Sequence, residues 1–296
     1  MFADAIEKVS RFTRPVNTIM RNYGSNNIIP GSATLFFINE DGYALTCRHV
    51  LDLLISSDRV NKQYQQFLQE KNSLTLTAPD NSIALRNLEE KYKYYFGTTI
   101  QLKVNFIDCV DQITGFTWFT HPTLDLAIIK FNGFTKKMYP EPATFLKNTE
   151  SIRPGSALCR LGFPFPEFTN FSYNAETDDI VWTQQGVTQS PRFPIDGMVT
   201  RFLGTDNQQT YGIELSTPGL RGQSGGPLFD EKGLVCGMQF STKHMHLGFD
   251  IENKPMMINN QIKNVSDYSF MHLGQCIHIN VIKDFLNQQK VKFYEG

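Results

Sequence analysis

The sequence predicts an all-β protein of sandwich or barrel type, and three observations carry this. Short runs of aromatic and β-branched residues recur along most of the 296 residues, turn signals separate them, and Glu40-Asp41-Gly42 stands between two such runs. Asp-Gly in that setting is a strong hairpin signal. The composition is that of a packed globule: 41% hydrophobic and 12% aromatic residues exclude a fibrous or disordered chain. With 28 Lys+Arg against 29 Asp+Glu the formal net charge is -1, and no basic cluster lies free of nearby acids. That excludes the electrostatic footprint of a nucleic-acid binder and leaves peptides or small molecules as partners.

Taken in order, Phe2, Ile6, Val9 and Phe12 recur at helical spacing and predict one helix over residues 2–22, bent or broken at Pro15. Strands follow at Ala33–Ile38 and Tyr43–Cys47. Residues 53–95 break the rhythm, since Gln63–Lys71 and Asn87–Tyr94 are polar and helix-favouring, which predicts a helical insertion bounded at 53–97. Strand-like runs resume at Ile100–Val110, Thr114–Thr120 and Leu124–Phe131. The polar stretch Asn132–Pro154 reads as a linker and puts a boundary near 140–150. Further runs fall at Ala157–Gly162, Ile180–Thr183, Met198–Leu203, Tyr211–Ser216, Leu234–Ser241 and His272–Ile279. Two long segments interrupt them, 163–194 and 243–271, and loops of such length are usually functional. A closing helix is expected from Asn280 as N-cap, with Val281, Phe285 and Leu286 on its apolar face.

No apolar run approaches the roughly 18 residues of a membrane span, and Met1-Phe2-Ala3-Asp4-Ala5-Ile6-Glu7 puts acids where a signal peptide is basic. The expectation is a cytoplasmic protein without membrane contact. The five cysteines (Cys47, Cys109, Cys159, Cys236, Cys276) are odd in number and widely spread, as free thiols would be.

Three places carry chemistry. In Gly222-Gln223-Ser224-Gly225-Gly226-Pro227-Leu228 the flanking glycines leave the Ser224 hydroxyl uncovered and let the backbone aim N–H groups at one spot, as an oxyanion hole requires. The plain alternative is a Gly-Ser loop. A serine needs a base to become a nucleophile, and of six histidines His49 is the one at a strand-to-helix corner, between Tyr43–Cys47 and Val50-Leu51; a structural histidine is the alternative. The base needs an orienting acid. Asp125 opens the apolar run Leu126–Ile129, where an unpaired carboxylate is costly, the alternative being a strand cap.

Thr46-Cys47-Arg48-His49-Val50, His121-Pro122 through Leu126-Ala127, and Gly222 to Pro227 resemble, in this order, the signature blocks of chymotrypsin-fold serine peptidases, in particular the bacterial branch that includes HtrA-type proteases. Cys159-Arg160-Leu161-Gly162-Phe163-Pro164 and Gly274-Gln275-Cys276-Ile277-His278-Ile279-Asn280 are similar to two auxiliary motifs, so the resemblance covers roughly residues 30–290. It implies a double six-stranded antiparallel β-barrel with a helical extension (1–27), a first barrel (28–145) carrying the insertion, and a second barrel (146–296) ending in the closing helix. It further implies a His49-Asp125-Ser224 triad in the cleft, an oxyanion hole from the Gly222 and Ser224 N–H groups, and acyl transfer without a cofactor. Pro218, Gln239, Phe240 and Ser241 are the expected substrate contacts, forming a bulky or neutral pocket.

Departures shape the expectations. Gln223 stands where digestive members have the aspartate that binds a new N-terminus, and Pro218 where trypsin has its pocket-floor aspartate. Arg48 replaces a small residue. The chain also ends soon after its last helix, without room for a peptide-binding C-terminal module. Cys236, His244, His246 and Cys276 lack paired Cys-x-x-Cys spacing, so no metal is expected. The leading reading is a serine endopeptidase acting on proteins or peptides. In this reading the enzyme is latent until a regulatory partner orders the two long segments, and the insertion is one place for such a partner to dock. The other readings are a catalytically silent scaffold of the same fold and a non-peptide ester hydrolase.

Overall fold

The computed structural model describes residues 2–75, 82–204 and 209–296. The first sheet holds β1 (Thr13–Asn22), β2 (Ile28–Phe37), β3 (Tyr43–Thr46), β4 (Thr99–Phe106), β5 (Gly115–Thr120) and β6 (Ala127–Asn132), in the order β4-β1-β2-β3-β6-β5. It curls without pairing its edges among the described residues. Phe106 of β4 and Phe116 of β5 meet edge to face across the seam, 6.3 Å between ring centroids.

The second half contains β7 (Thr144–Phe145), β8 (Ala157–Gly162), β9 (Phe171–Asn174), β10 (Asp179–Trp182), β11 (Phe193–Gly204), β12 (Thr210–Leu215), β13 (Pro227–Phe229), β14 (Val235–His246), β15 (Ile251–Ile258), β16 (Gln261–Asp267), β17 (Phe270–His278) and β18 (Tyr294–Glu295). Strands β13-β8-β11-β12-β17-β14 pair in sequence and β14 returns to β13, closing a six-stranded barrel. The architecture is the chymotrypsin-like double barrel, one half open and one closed. A single buried cluster runs through both, from Phe36, Phe37 and Phe131 to Phe145, Phe229 and Phe285.

Among the described residues four α-helices accompany the sheets: α1 (Ala3–Ser10), α2 (Arg48–Thr75), α3 (Ser82–Tyr92) and α4 (Ile279–Gln288). Helix α1 buries Ala5 and Val9 but stops at Ser10, so the helix expected over 2–22 is corrected: residues 13–22 form β1, inside the first sheet. Pro15 is compatible with a strand flanked on both sides because the β4 ladder reaches only to Val16, paired with Phe106. The expected insertion is α2 and α3, with residues 76–81 outside the described part. Tyr64, Phe67, Leu88 and Tyr94 give the two helices their own small core against Ile100 of β4.

Both long segments contain strands, and 243–271 is mostly strand. Residues 163–194 contain the β9–β10 hairpin. The 243–271 segment extends β14 and β17, paired from Lys243↔Leu273 to His246↔Phe270, and carries the β15–β16 hairpin as an arm. The cap of α4 is also corrected: His278, not Asn280, occupies it, its Nδ1 accepting the Asn280 N–H at 3.2 Å.

Candidate active site

His49 lies in the first turn of α2, at the corner where β3 ends. Its ring Nδ1 is 2.6 Å from Asp125 Oδ2, and its backbone N–H donates to Asp125 Oδ1 at 2.9 Å. Asp125 precedes β6, which pairs with β3 from Thr46↔Ala127 onward, so the register of two neighbouring strands brings acid and imidazole together. Burial works to raise the Asp125 pKa, but hydrogen bonds from the His49 ring and from the His49 and Arg48 backbone hold it below its ordinary value. The Arg48 side chain points to solvent, 4.0 Å from Asp52, which accounts for a large residue beside His49.

Behind the pair, Cys47 is fully buried and donates to the Gln239 carbonyl. Cys47, His49 and Asp125 offer three ligand-type atoms within 4.8 Å. Burial raises the thiol pKa well above its ordinary value, so a neutral S–H, a poor metal ligand, occupies this place. The metal candidates Cys236, His244, His246 and Cys276 are not brought together: the cysteines are buried in the second barrel, while His244 contacts His272 and His246 contacts Asp250.

Ser224 sits between two turns. Gln223 N–H bonds the Leu220 carbonyl and Gly226 N–H the Gln223 carbonyl, with Gly222 at φ +90° and Gly225 at φ +86° as the left-handed residues. A side chain at Gly225 would strike the Thr34 carbonyl and the Thr46 hydroxyl. The Gln223 side chain, wholly buried, fastens this loop: its Oε1 accepts the Leu220 N–H and its Nε2 donates to the Phe193 carbonyl, each at 3.0 Å. An amide here thus ties loop to barrel. Among the described residues, the Gly222 and Ser224 N–H groups have no protein acceptor, and no hydrogen bond joins the Ser224 hydroxyl to His49.

Thr34 and Arg160 are functional neighbours that the sequence did not disclose. Thr34 of β2 joins the two sheets at the serine loop: its N–H donates to the Ser224 carbonyl at 3.0 Å, and its hydroxyl donates to the Gly222 carbonyl at 2.7 Å and accepts the Phe163 N–H. Arg160 of β8 is wholly buried and donates to Gln239 Oε1 and Thr217. An isolated threonine in a strand gives no sequence signal; Arg160 did stand inside an auxiliary motif, but nothing there marked its direction.

His49 and Ser224 open onto one pocket of about 550 Å³. Pro218, Gln239, Phe240 and Ser241 all line it, although most of Gln239 is hidden behind Gly219. A register shift between Gln239 and Ser241 leaves Phe240 as a bulge in β14, turning this strand at the pocket.

A family model described as "Trypsin-like peptidase domain" matches residues 33–238, well over half of the chain and including His49, Asp125 and Ser224. A search of curated proteins finds no match. Among solved structures, "HtrA-type protease AlgW with tripeptide" is similar at 14% identity and TM-score 0.47, covering 97% of this chain and 62% of that one. "HtrA-type protease AlgW with decapeptide" gives the same identity and score, with 66% of that chain covered. The chain thus spans less than two thirds of the length of these proteins.

Proposed function

Because this chain belongs to the trypsin-like peptidase family, we propose that it is a serine endopeptidase that cleaves peptide bonds through an acyl-enzyme on Ser224. The observation that carries this reading is the His49 ring, held by Asp125 at 2.6 Å and facing the same pocket as Ser224. With Nδ1–H engaged by the carboxylate, Nε2 is the free base. It takes the Ser224 proton as the oxygen attacks the peptide carbonyl, gives it to the leaving amine, and then activates the water that releases the acyl group. The Gly222 and Ser224 N–H groups, left without protein acceptors, are the donors for the developing oxyanion. Thr34 supports them by holding the Gly222 carbonyl away from that place.

The substrate is an extended peptide laid along Gln239–Ser241. The five cysteines are free and buried, which fits a reducing, cytoplasmic setting. Among the described residues no helix is long and apolar enough to cross a membrane. Latency belongs to the same reading: a partner acts on the β15–β16 arm, whose β14 and β17 stems border the pocket.

A denatured protein substrate incubated with wild type and with Ser224→Ala tests the proposal. New N-termini, read by mass spectrometry, are expected from the wild type alone. Identical products from both proteins, or none from folded wild type with the arm ordered by a partner or not, would leave the silent-scaffold reading in its place.

A further inference from the structure

Twelve residues line the pocket that contains His49 and Ser224, and among them there is no aspartate or glutamate. The ionisable or cationic residues present are Arg221, His49, His244 and His272. A second cation lies behind the wall. Arg160 is completely buried, with Nη1 2.9 Å from Gln239 Oε1, Nη2 3.0 Å from the Thr217 carbonyl and 2.6 Å from its hydroxyl, and Nε without any partner. Among the described residues, no carboxylate lies within ion-pair distance of it; the exposed Asp196 is the acid whose charge it feels. Burial lowers its pKa accordingly. A buried guanidinium facing only neutral acceptors is an uncompensated charge.

The guanidinium also fixes the neighbour. Arginine has no acceptor, so the Gln239 carboxamide must turn its oxygen toward Arg160, and the Cys276 thiol donates to the same oxygen. The amide NH2 therefore faces the Gly219 wall of the pocket, where one N–H reaches the Ser241 carbonyl at 2.6 Å. The other N–H has no acceptor among the described residues. At the rim, His244 Nδ1 and His272 Nδ1 are 2.6 Å apart. A contact that short needs one ring to accept at Nδ1, and a neutral imidazole that accepts there carries its proton on Nε2. The pair therefore always presents at least one N–H donor. Donors and positive charge surround the pocket, and no counter-charge is built in.

Resting on the peptidase reading above, we infer that this pocket selects an acidic side chain, glutamate or aspartate, immediately before the cleaved bond. The Gln239 NH2 and the histidine rim donate to its carboxylate, and Arg160 supplies the balancing charge through the polarised Gln239 amide. This replaces the neutral pocket expected from Gln239, Phe240 and Ser241 alone.

Fluorogenic peptides identical except for Glu, Asp, Gln, Leu or Lys before the scissile bond test the inference. Glu or Asp is expected to exceed Gln in kcat/KM by about tenfold or more, the difference between a charged and a neutral acceptor, with Lys the poorest. A Gln peptide cleaved within about threefold of both acidic ones, or a preference for Leu or Lys, overturns it. Gln239→Glu puts a carboxylate against Arg160 and should bring the Glu-to-Gln ratio close to one; a folded variant that keeps the wild-type ratio contradicts the role given to Arg160. Two arms separate this inference from the function it rests on. A fluorophosphonate has no such side chain and reports the nucleophile alone, so a labelled enzyme indifferent to peptide charge overturns the inference and leaves the peptidase reading intact. Binding of the same peptides to Ser224→Ala needs no catalysis and should rank them in the same order; a ranking blind to charge overturns the inference whether or not turnover is seen.

Discussion

Asp125 receives two hydrogen bonds from the residue it orients, one from the His49 ring and one from its backbone. The same carboxylate thus fixes the first turn of α2 through one oxygen and the ring through the other. Asp125→Asn keeps the shape but removes the charge and invites the wrong tautomer; kcat on a peptide substrate should fall about 10⁴-fold, with the melting temperature little changed. Thr34 acts through other groups. Thr34→Val strips the hydroxyl that serves the Gly222 carbonyl and the Phe163 N–H, leaving both buried and unpaired. A loss of about 1–3 kcal/mol is expected to appear mainly in kcat, with Thr34→Ser restoring it; a change confined to KM would remove Thr34 from this role. His49, Asp125 and Ser224 were legible because each stands in a distinctive local string. Thr34 and Arg160 were not, since their partners lie 188 and 79 residues away for the Gly222 and Gln239 contacts and only the folded barrels bring them together.

Helix α2 begins at Arg48 and His49 and spans 28 residues, so what anchors its body also steadies His49. Asn61 bonds both the N–H and the carbonyl of Leu102 in β4. Tyr64 donates to Asp178 in the β9–β10 turn, and Asp178 also accepts from Tyr173 and pairs with the buried Arg21 at 2.8 Å. Asp178→Ala leaves that guanidinium unpaired and should cost about 2 kcal/mol or more, seen as a lower urea midpoint; an unchanged midpoint would show the tie to be idle. At the other end of the chain, burial and then the nearby Lys283 push the His278 pKa down to about 4 from 6.5. The folded state thus keeps the α4 cap neutral while the unfolded chain takes up a proton below pH 6.5. Stability must fall as the pH drops from about 6.5 to about 4, by at most about 3 kcal/mol. His278→Asn retains a capping side chain and should flatten this dependence in thermal melts at pH 7 and pH 5. The sequence revealed most strands to within a few residues, and the insertion as helix. It misled at 2–22, where helical spacing is satisfied through Phe12 but sheet pairing on both sides captures residues 13–22. It also hid the 243–271 strands, whose largely exposed side chains show no alternation to read.

At the scale of the molecule, neither sheet holds the site alone. His49 and Asp125 come from the first and Ser224 from the second, while Thr34 of the first sheet links them directly by donating its N–H to the Ser224 carbonyl. One buried cluster crosses the join, so the geometry of the pocket depends on both halves packing as a unit. The double barrel was legible from three ordered motifs, whereas the open seam between β4 and β5 was not, because closure depends on which edges meet. The central claim is that this joint site activates Ser224. Wild type, Ser224→Ala and His49→Ala treated with a fluorophosphonate and weighed intact test it most directly. The account predicts one adduct per chain on the Ser224 peptide in wild type, none in Ser224→Ala, and labelling slowed by at least about 10³-fold in His49→Ala. A folded wild type that stays unlabelled, or an adduct that persists without Ser224, would contradict it.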